Sequence, residues 1–179
     1  MLKKRLGTEA IENDSWTLGV VSRSRIGLYY KIPSTLIIPK DCEKIGDWAF
    51  WRCRKLRKVV ISESVVKVGY YAFRECSWIR EVIIPKSVED IGVGAFRECK
   101  KLEKVITSES VVWISAKSFW GCESLKKVVI PESVKFIGDG AFSGCKNATI
   151  ILKKPKSKFK EIELCAFSDC KNVEEEVRS

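Results

Sequence analysis

The chain repeats itself every 23 residues. Cys53, Cys76, Cys99, Cys122 and Cys145 each close a near-copy of one phrase, and a sixth copy, stretched by two residues, closes at Cys170. Phe50, Phe73, Phe96, Phe119, Phe142 and Phe167 stand three residues before these cysteines, each preceded by Ala or, once, by Ser118. Five residues before each phenylalanine lies a β-branched residue, Ile45, Val68, Ile91, Ile114, Ile137 or Ile162. Glycine follows it except at Ser115 and Glu163. A fixed period of this length is the mark of a repeat array, so the chain is one elongated domain rather than a globule with a single centre.

Within a copy, Val59 and Ile61, Val82 and Ile84, Val105 and Thr107, and Val128 and Ile130 alternate with other residues. Such alternation suits a short strand whose inward side chains are these pairs. Pro39, Pro85 and Pro131, or Ser62 and Ser108, follow and end the strand, because proline donates no ladder hydrogen bond. The glycine column suits a sharp bend or a close approach of backbones. Asp47 to Arg52 and its counterparts are then long enough for one helical turn that carries Ala, Phe and Cys inward. One such unit buries too little apolar surface to offset the entropy of ordering its backbone, so equivalent strands must stack into a parallel sheet over a shared core. Six repeats are expected over residues 31–170, with residues 1–30 forming a capping hairpin and 171–179 a polar tail.

The phrase Ile-Pro-x-x-Val-x-x-Ile-Gly-x-x-Ala-Phe-x-x-Cys, seen from Ile84 to Cys99 and from Ile130 to Cys145, resembles the BspA-type, or Treponema-type, leucine-rich repeat family. The resemblance implies an α/β fold: a right-handed, curved solenoid with its parallel sheet on the concave face and short helical or irregular turns on the convex face. It also implies protein or surface recognition, including adhesin-like roles, and no catalytic residues. Ala148 departs from the column held by Leu56, Ile79, Leu102 and Leu125.

Catalysis is disfavoured by the residues themselves. The chain has no histidine, which removes the commonest general base and the Ser-His and Cys-His pairs. Its glycines recur 23 apart and cannot form a phosphate-cradling loop. The cysteines read as a buried ladder of free thiols, with Cys42 and Cys165, which occupy other columns, as candidate exceptions, since stacked equivalents at about 4.8 Å hold their side chains parallel while a disulfide needs converging Cβ atoms. No Cys-x-x-Cys spacing exists to hold a metal. The expectation is therefore no enzyme, no metal and no cofactor.

Two surfaces are candidates for binding a partner. On the outward face of the strands, Ile37, Val60, Ile83, Ile106 and Val129 form an aliphatic row. It is flanked by Thr35, Lys58, Glu81, Lys104 and Lys127 on one side and by the Pro/Ser column on the other. An apolar stripe rimmed by charge is an interaction signature; its plainer explanation is that β-branched residues favour strands. On the return segments, Trp48, Tyr70 and Tyr71 fall in adjacent columns, and Trp113 aligns with Phe136. These are either binding anchors or local packing.

The net charge of +10 favours an acidic protein or another polyanion as partner. Nucleic acid is the alternative from a different class, though no recognised motif supports it. A repeat segment of a larger surface adhesin is a further alternative. The basic start, Lys3 to Arg5, is not followed by the apolar run of a signal peptide, and no stretch is long enough to span a membrane. The default expectation is a cytoplasmic monomer, with a surface or secreted location if a leader has been removed.

Overall fold

The computed structural model describes residues 20–21 and 34–176. Each repeat contributes two strands, not one, and the two sets form two parallel seven-stranded sheets among the described residues. In chain order the strands are β1 (Val20–Val21), β2 (Thr35–Ile37), β3 (Lys44–Ile45), β4 (Lys58–Val60), β5 (Lys67–Val68), β6 (Glu81–Ile83) and β7 (Asp90–Ile91). They continue as β8 (Lys104–Ile106), β9 (Trp113–Ile114), β10 (Lys127–Ile130), β11 (Phe136–Ile137), β12 (Thr149–Leu152), β13 (Glu161–Ile162) and β14 (Asn172–Glu175). The even-numbered strands make the concave sheet and the odd-numbered ones the second sheet.

Register follows the repeat. Val59 pairs with Val82 and Val82 with Val105, so each column of the sequence becomes a row across the sheet. The inward rows are buried at Leu36, Val59, Val82, Val105, Val128 and Ile150. The phenylalanines stand in one file between the sheets, with ring centroids 5.0, 5.2, 5.4 and 5.2 Å apart from Phe50 to Phe142 and planes within 8° of parallel. These five rings are fully buried. This stack is the shared core that no single coil supplies.

Cys53, Cys76, Cys99, Cys122 and Cys145 line the same interior, Cys170 is half-buried at its end, and none of the cysteines is disulfide-bonded. The thiols of Cys76, Cys99, Cys122 and Cys145 donate to the carbonyls of Phe50, Phe73, Phe96 and Phe119 at 3.0 to 3.2 Å. Burial pushes the thiols of Cys76, Cys99 and Cys122 well above the usual range, so they stay protonated as donors. Of the two cysteines outside the ladder columns, Cys42 is buried and Cys165 exposed.

Of the helical and irregular alternatives for the return segment, the structure takes the irregular one. The reason lies in the hydrogen bonds. Ala49, Trp51 and Cys53 donate to carbonyls three residues back, at Gly46, Trp48 and Phe50, while Trp48, Phe50 and Arg52 donate to Tyr70, Ala72 and Arg74 of the next coil at 2.7 to 2.8 Å. Every second N–H thus leaves its own turn, and no helix ladder can propagate. This alternation requires a left-handed backbone at two positions per turn. Gly94 and Gly140 serve at one of them, but Trp48 and Tyr71 occupy the same column at φ 59° and 54°.

The glycine column serves close approach rather than bending. A Cβ at Gly138 would lie 2.5 Å from the Ala116 nitrogen, and one at Gly69 2.7 Å from the Ile45 carbonyl oxygen. One 3-10 turn, Lys156–Lys158, accommodates the extra length of the last repeat. At the C-terminal end, Asn172–Glu175, within the segment expected to be a polar tail, pairs along its whole length with Thr149–Leu152. At the other end, Val20–Val21 pairs in parallel with Lys44–Ile45. The rest of the expected capping hairpin lies outside the described residues.

Candidate recognition surface

The concave sheet presents the aliphatic row to solvent. Ile37, Val60, Ile83 and Ile106 are between 39% and 50% exposed, against at most 7% for the inward neighbours Leu36, Val59, Ile61, Val82 and Val105. Val129 is half-buried, and Ile151 and Glu174 continue its row. The strand pleat accounts for this contrast, because adjacent side chains point to opposite faces.

Beside the row runs a charged one. Lys58 pairs in register with Glu81, Glu81 with Lys104 and Lys104 with Lys127. The Lys104 Nζ lies 3.0 Å from Glu81, leaving Lys58 and Lys127 as cations with no carboxylate within ion-pair distance among the described residues. Both are exposed. Further ion pairs link neighbouring coils, Arg80 to Glu103 at 2.6 Å and Lys126 to Glu103 at 3.5 Å.

One junction of the concave sheet departs from the others. Strands β2 through β8 join their neighbours by three residue pairs each, whereas β8 and β10 share only Lys104↔Lys127. At two of the three other junctions, β2–β4 and β6–β8, the Ile38 and Ile84 amides donate to the carbonyls of Val60 and Ile106. The corresponding carbonyl of Val129 accepts the Thr107 hydroxyl at 2.8 Å. A groove of about 490 Å³ opens there, lined by residues including Ile106, Val129, Pro131, Lys104 and Lys127. The signal was present in the sequence as the threonine that breaks the Ile61, Ile84, Ile130 column, but an inward threonine reads as a tolerated packing variant.

The candidate aromatics lie elsewhere and form two separate groups. Trp48 stacks on Tyr71 with centroids 4.4 Å apart, Trp51 meets Trp48 edge-on at 5.5 Å, and the Arg74 guanidinium approaches both Trp48 and Tyr71 at 5.9 and 5.6 Å. Left-handed backbone at a bulky residue costs roughly 1–2 kcal/mol, so this stack is kept against local preference. The Tyr71 ring also fills the space that a side chain at Gly94 would need. Trp113 sits on the second sheet, stacked 5.4 Å from Phe136 with planes 1° apart. The structure does not bring either group to the concave row.

Among the described residues no set of three or more Cys, Asp or Glu side chains is gathered as a metal site would need. No helix among them is long and apolar enough to cross a membrane.

The BspA type leucine rich repeat region matches in six copies over residues 28–149 and 90–177. The chain belongs to the BspA-type leucine-rich repeat family. Among solved structures, this BspA-type array is similar to the T. pallidum leucine rich repeat protein TpLRR, with 26% identity and a TM-score of 0.64 over 79% of this chain and 59% of that one. It is similar to a leucine rich cell surface protein of Faecalibacterium prausnitzii, with 28% identity and a TM-score of 0.53 over 69% of this chain and 40% of that one. It is also similar to the pneumococcal vaccine antigen PcpA, with 27% identity and a TM-score of 0.58 over 75% of this chain and 33% of that one. The array therefore spans between 33% and 59% of the length of these three structures. No curated protein matches the sequence.

Proposed function

We propose that this BspA-type array is a non-enzymatic recognition scaffold that binds a protein or cell-surface partner through its concave sheet. The observation that carries the reading is the exposed file Ile37, Val60, Ile83 and Ile106, standing beside buried neighbours of the same residue types. Strand propensity explains why such residues sit in the sheet, but an uninterrupted exposed file with a charged border is also what a partner surface requires. Lys58, Glu81, Lys104 and Lys127 are the border, and the cations without carboxylate partners, Lys58 and Lys127, favour an acidic partner.

A second reading concerns context: the array is a segment of a larger surface adhesin. Its support is the similarity to the F. prausnitzii cell surface protein, of which this chain covers 40%. The two readings are compatible.

The test is capture from lysate and surface fractions of the native host, comparing the wild-type chain with Val60→Thr/Ile83→Thr/Ile106→Thr. Threonine suits strands, so the variant keeps its fold. A partner held by the wild type and lost by the variant is the expected result; identical capture by both rejects the concave row. Nucleic-acid binding, by contrast, would weaken steeply with salt and ignore the aliphatic row.

A further inference from the structure

The geometry points to the groove between β8 and β10 as a specific pocket for an extended peptide segment in which an acidic residue and a bulky apolar one stand two positions apart, so that both face the groove. This rests on the concave sheet being the recognition face and assigns it a definite subsite and ligand chemistry.

Three independent features coincide at this junction. First, the ladder is reduced to Lys104↔Lys127, while the Val129 carbonyl accepts the Thr107 hydroxyl where its counterparts Val60 and Ile106 accept main-chain amides. Second, the surviving register pair sets two lysines directly opposite each other, an arrangement that disfavours close pairing. Third, about 490 Å³ of open groove lies over this junction, within the ~300–1,000 Å³ typical of ligand clefts. Its floor is apolar: Val105, Ile106, Val129 and Pro131.

Charge then selects the occupant. Lys104 is answered by Glu81 at 3.0 Å, and Lys126 by Glu103 at 3.5 Å. Lys127 lines the groove without a carboxylate within ion-pair distance among the described residues. Glu109 lines it too, following β8 on the far side of the apolar floor. The groove is thus polarised, and a segment lying along it places its carboxylate at Lys127 and its apolar side chain on Ile106, Val129 and Pro131, clear of Glu109. A polyphosphate backbone finds one unpaired cation and an opposing carboxylate here, a poor match.

The experiment uses the full chain, 15N-labelled, titrated with three blocked tetrapeptides and followed by amide chemical shifts. N-acetyl-Asp-Ser-Phe-Ser-amide, whose acidic and aromatic side chains share one face when extended, is expected to move the amides of Ile106, Thr107, Lys127 and Val129. N-acetyl-Lys-Ser-Phe-Ser-amide and N-acetyl-Asp-Ser-Ala-Ser-amide are each expected to bind about tenfold more weakly. Lys127→Glu should weaken the acidic peptide by about tenfold with an unchanged unfolding midpoint. Thr107→Ile, which restores the column residue, should close the groove, abolish binding and leave the array folded. Shifts centred on other residues, or binding that survives Thr107→Ile, overturn the assignment. Octanoate moving the same amides more tightly than the peptide overturns the peptide identity. If no peptide binds but the triple threonine variant still loses its captured partner, only the groove assignment falls; if that variant also captures everything, the concave reading falls with it.

Discussion

Two apolar files run along this molecule with the same 23-residue period. The phenylalanines from Phe50 to Phe142 are sealed between the sheets, and the aliphatic row from Ile37 to Ile106 lies open on the concave side. One file is enclosed by its own chain; the other meets its own kind from strand to strand across the sheet and is open on its outer face. The difference teaches that repetition records a structural slot without saying whether the slot is filled from within. Burial, not recurrence, separates what holds the array together from what is free for a partner.

The comparison can be broken most forcefully at its buried member. Phe96→Ala should cost about 3–5 kcal/mol in urea unfolding, because two flanking rings lose their partner and a cavity remains. Phe167→Ala, at the half-buried end of the file where the ring spacing widens to 6.0 Å, should cost clearly less. Equal losses would mean that the file is not one graded core.

The thiols beside that file sharpen the same contrast through pH. Burial raises the folded-state values of Cys76, Cys99 and Cys122 above the usual 9.0, and pushes Cys170 up to about 12. Below pH 9 both folded and unfolded chains hold these protons, so the thiols add no pH dependence. Above it the unfolded chain releases protons that the folded one retains, and stability falls with rising pH, by about 1.4 kcal/mol per pH unit for each such thiol. Urea midpoints measured from pH 8 to 11 should therefore decline, and Cys99→Ala should decline less steeply than the wild type.

A smaller effect is expected where the turn backbone is strained. Lys117 is exposed at φ 58° in the column that Gly94 and Gly140 also occupy. Lys117→Gly should raise stability by about 0.5–1 kcal/mol, the relief of left-handed strain outweighing glycine's entropy. A loss of stability would show that the Lys117 side chain is held by contacts that matter more than its backbone. Smallest of all, Ile83→Thr on the open row should change stability by no more than about 0.5 kcal/mol.

Much of the fold was legible because each column pointed to one physical role. The inward strand residues, the phenylalanine file, the cysteine ladder and the outward aliphatic row all follow from alternation and period. The second sheet was not legible, since strands such as Lys44–Ile45 carry a single inward residue and offer no alternation to read. The left-handed positions were hidden because Trp48, Tyr71, Gly94, Lys117 and Gly140 share a conformation without sharing a chemistry. The last strand was hidden by polarity: Asn172–Glu175 reads as tail, yet an edge strand takes its hydrogen bonds from Thr149–Leu152 whatever its side chains. Of the candidate site residues, the sequence placed Ile37, Val60, Ile83 and Ile106 in one file, but it gave no sign that Trp48 and Tyr71 stack apart from Trp113, nor that a groove lies beside Val129.

The central claim, that two files of equal period divide into support and recognition, is tested most directly by urea unfolding of Val60→Thr/Ile83→Thr/Ile106→Thr beside Phe96→Ala. The account predicts a triple-variant midpoint within about 0.5 M of wild type and a Phe96→Ala midpoint displaced by well over 1 M, on slopes of about 2 kcal/mol per M. A triple variant as destabilised as Phe96→Ala would contradict it, because the open row would then be part of what keeps the coils together.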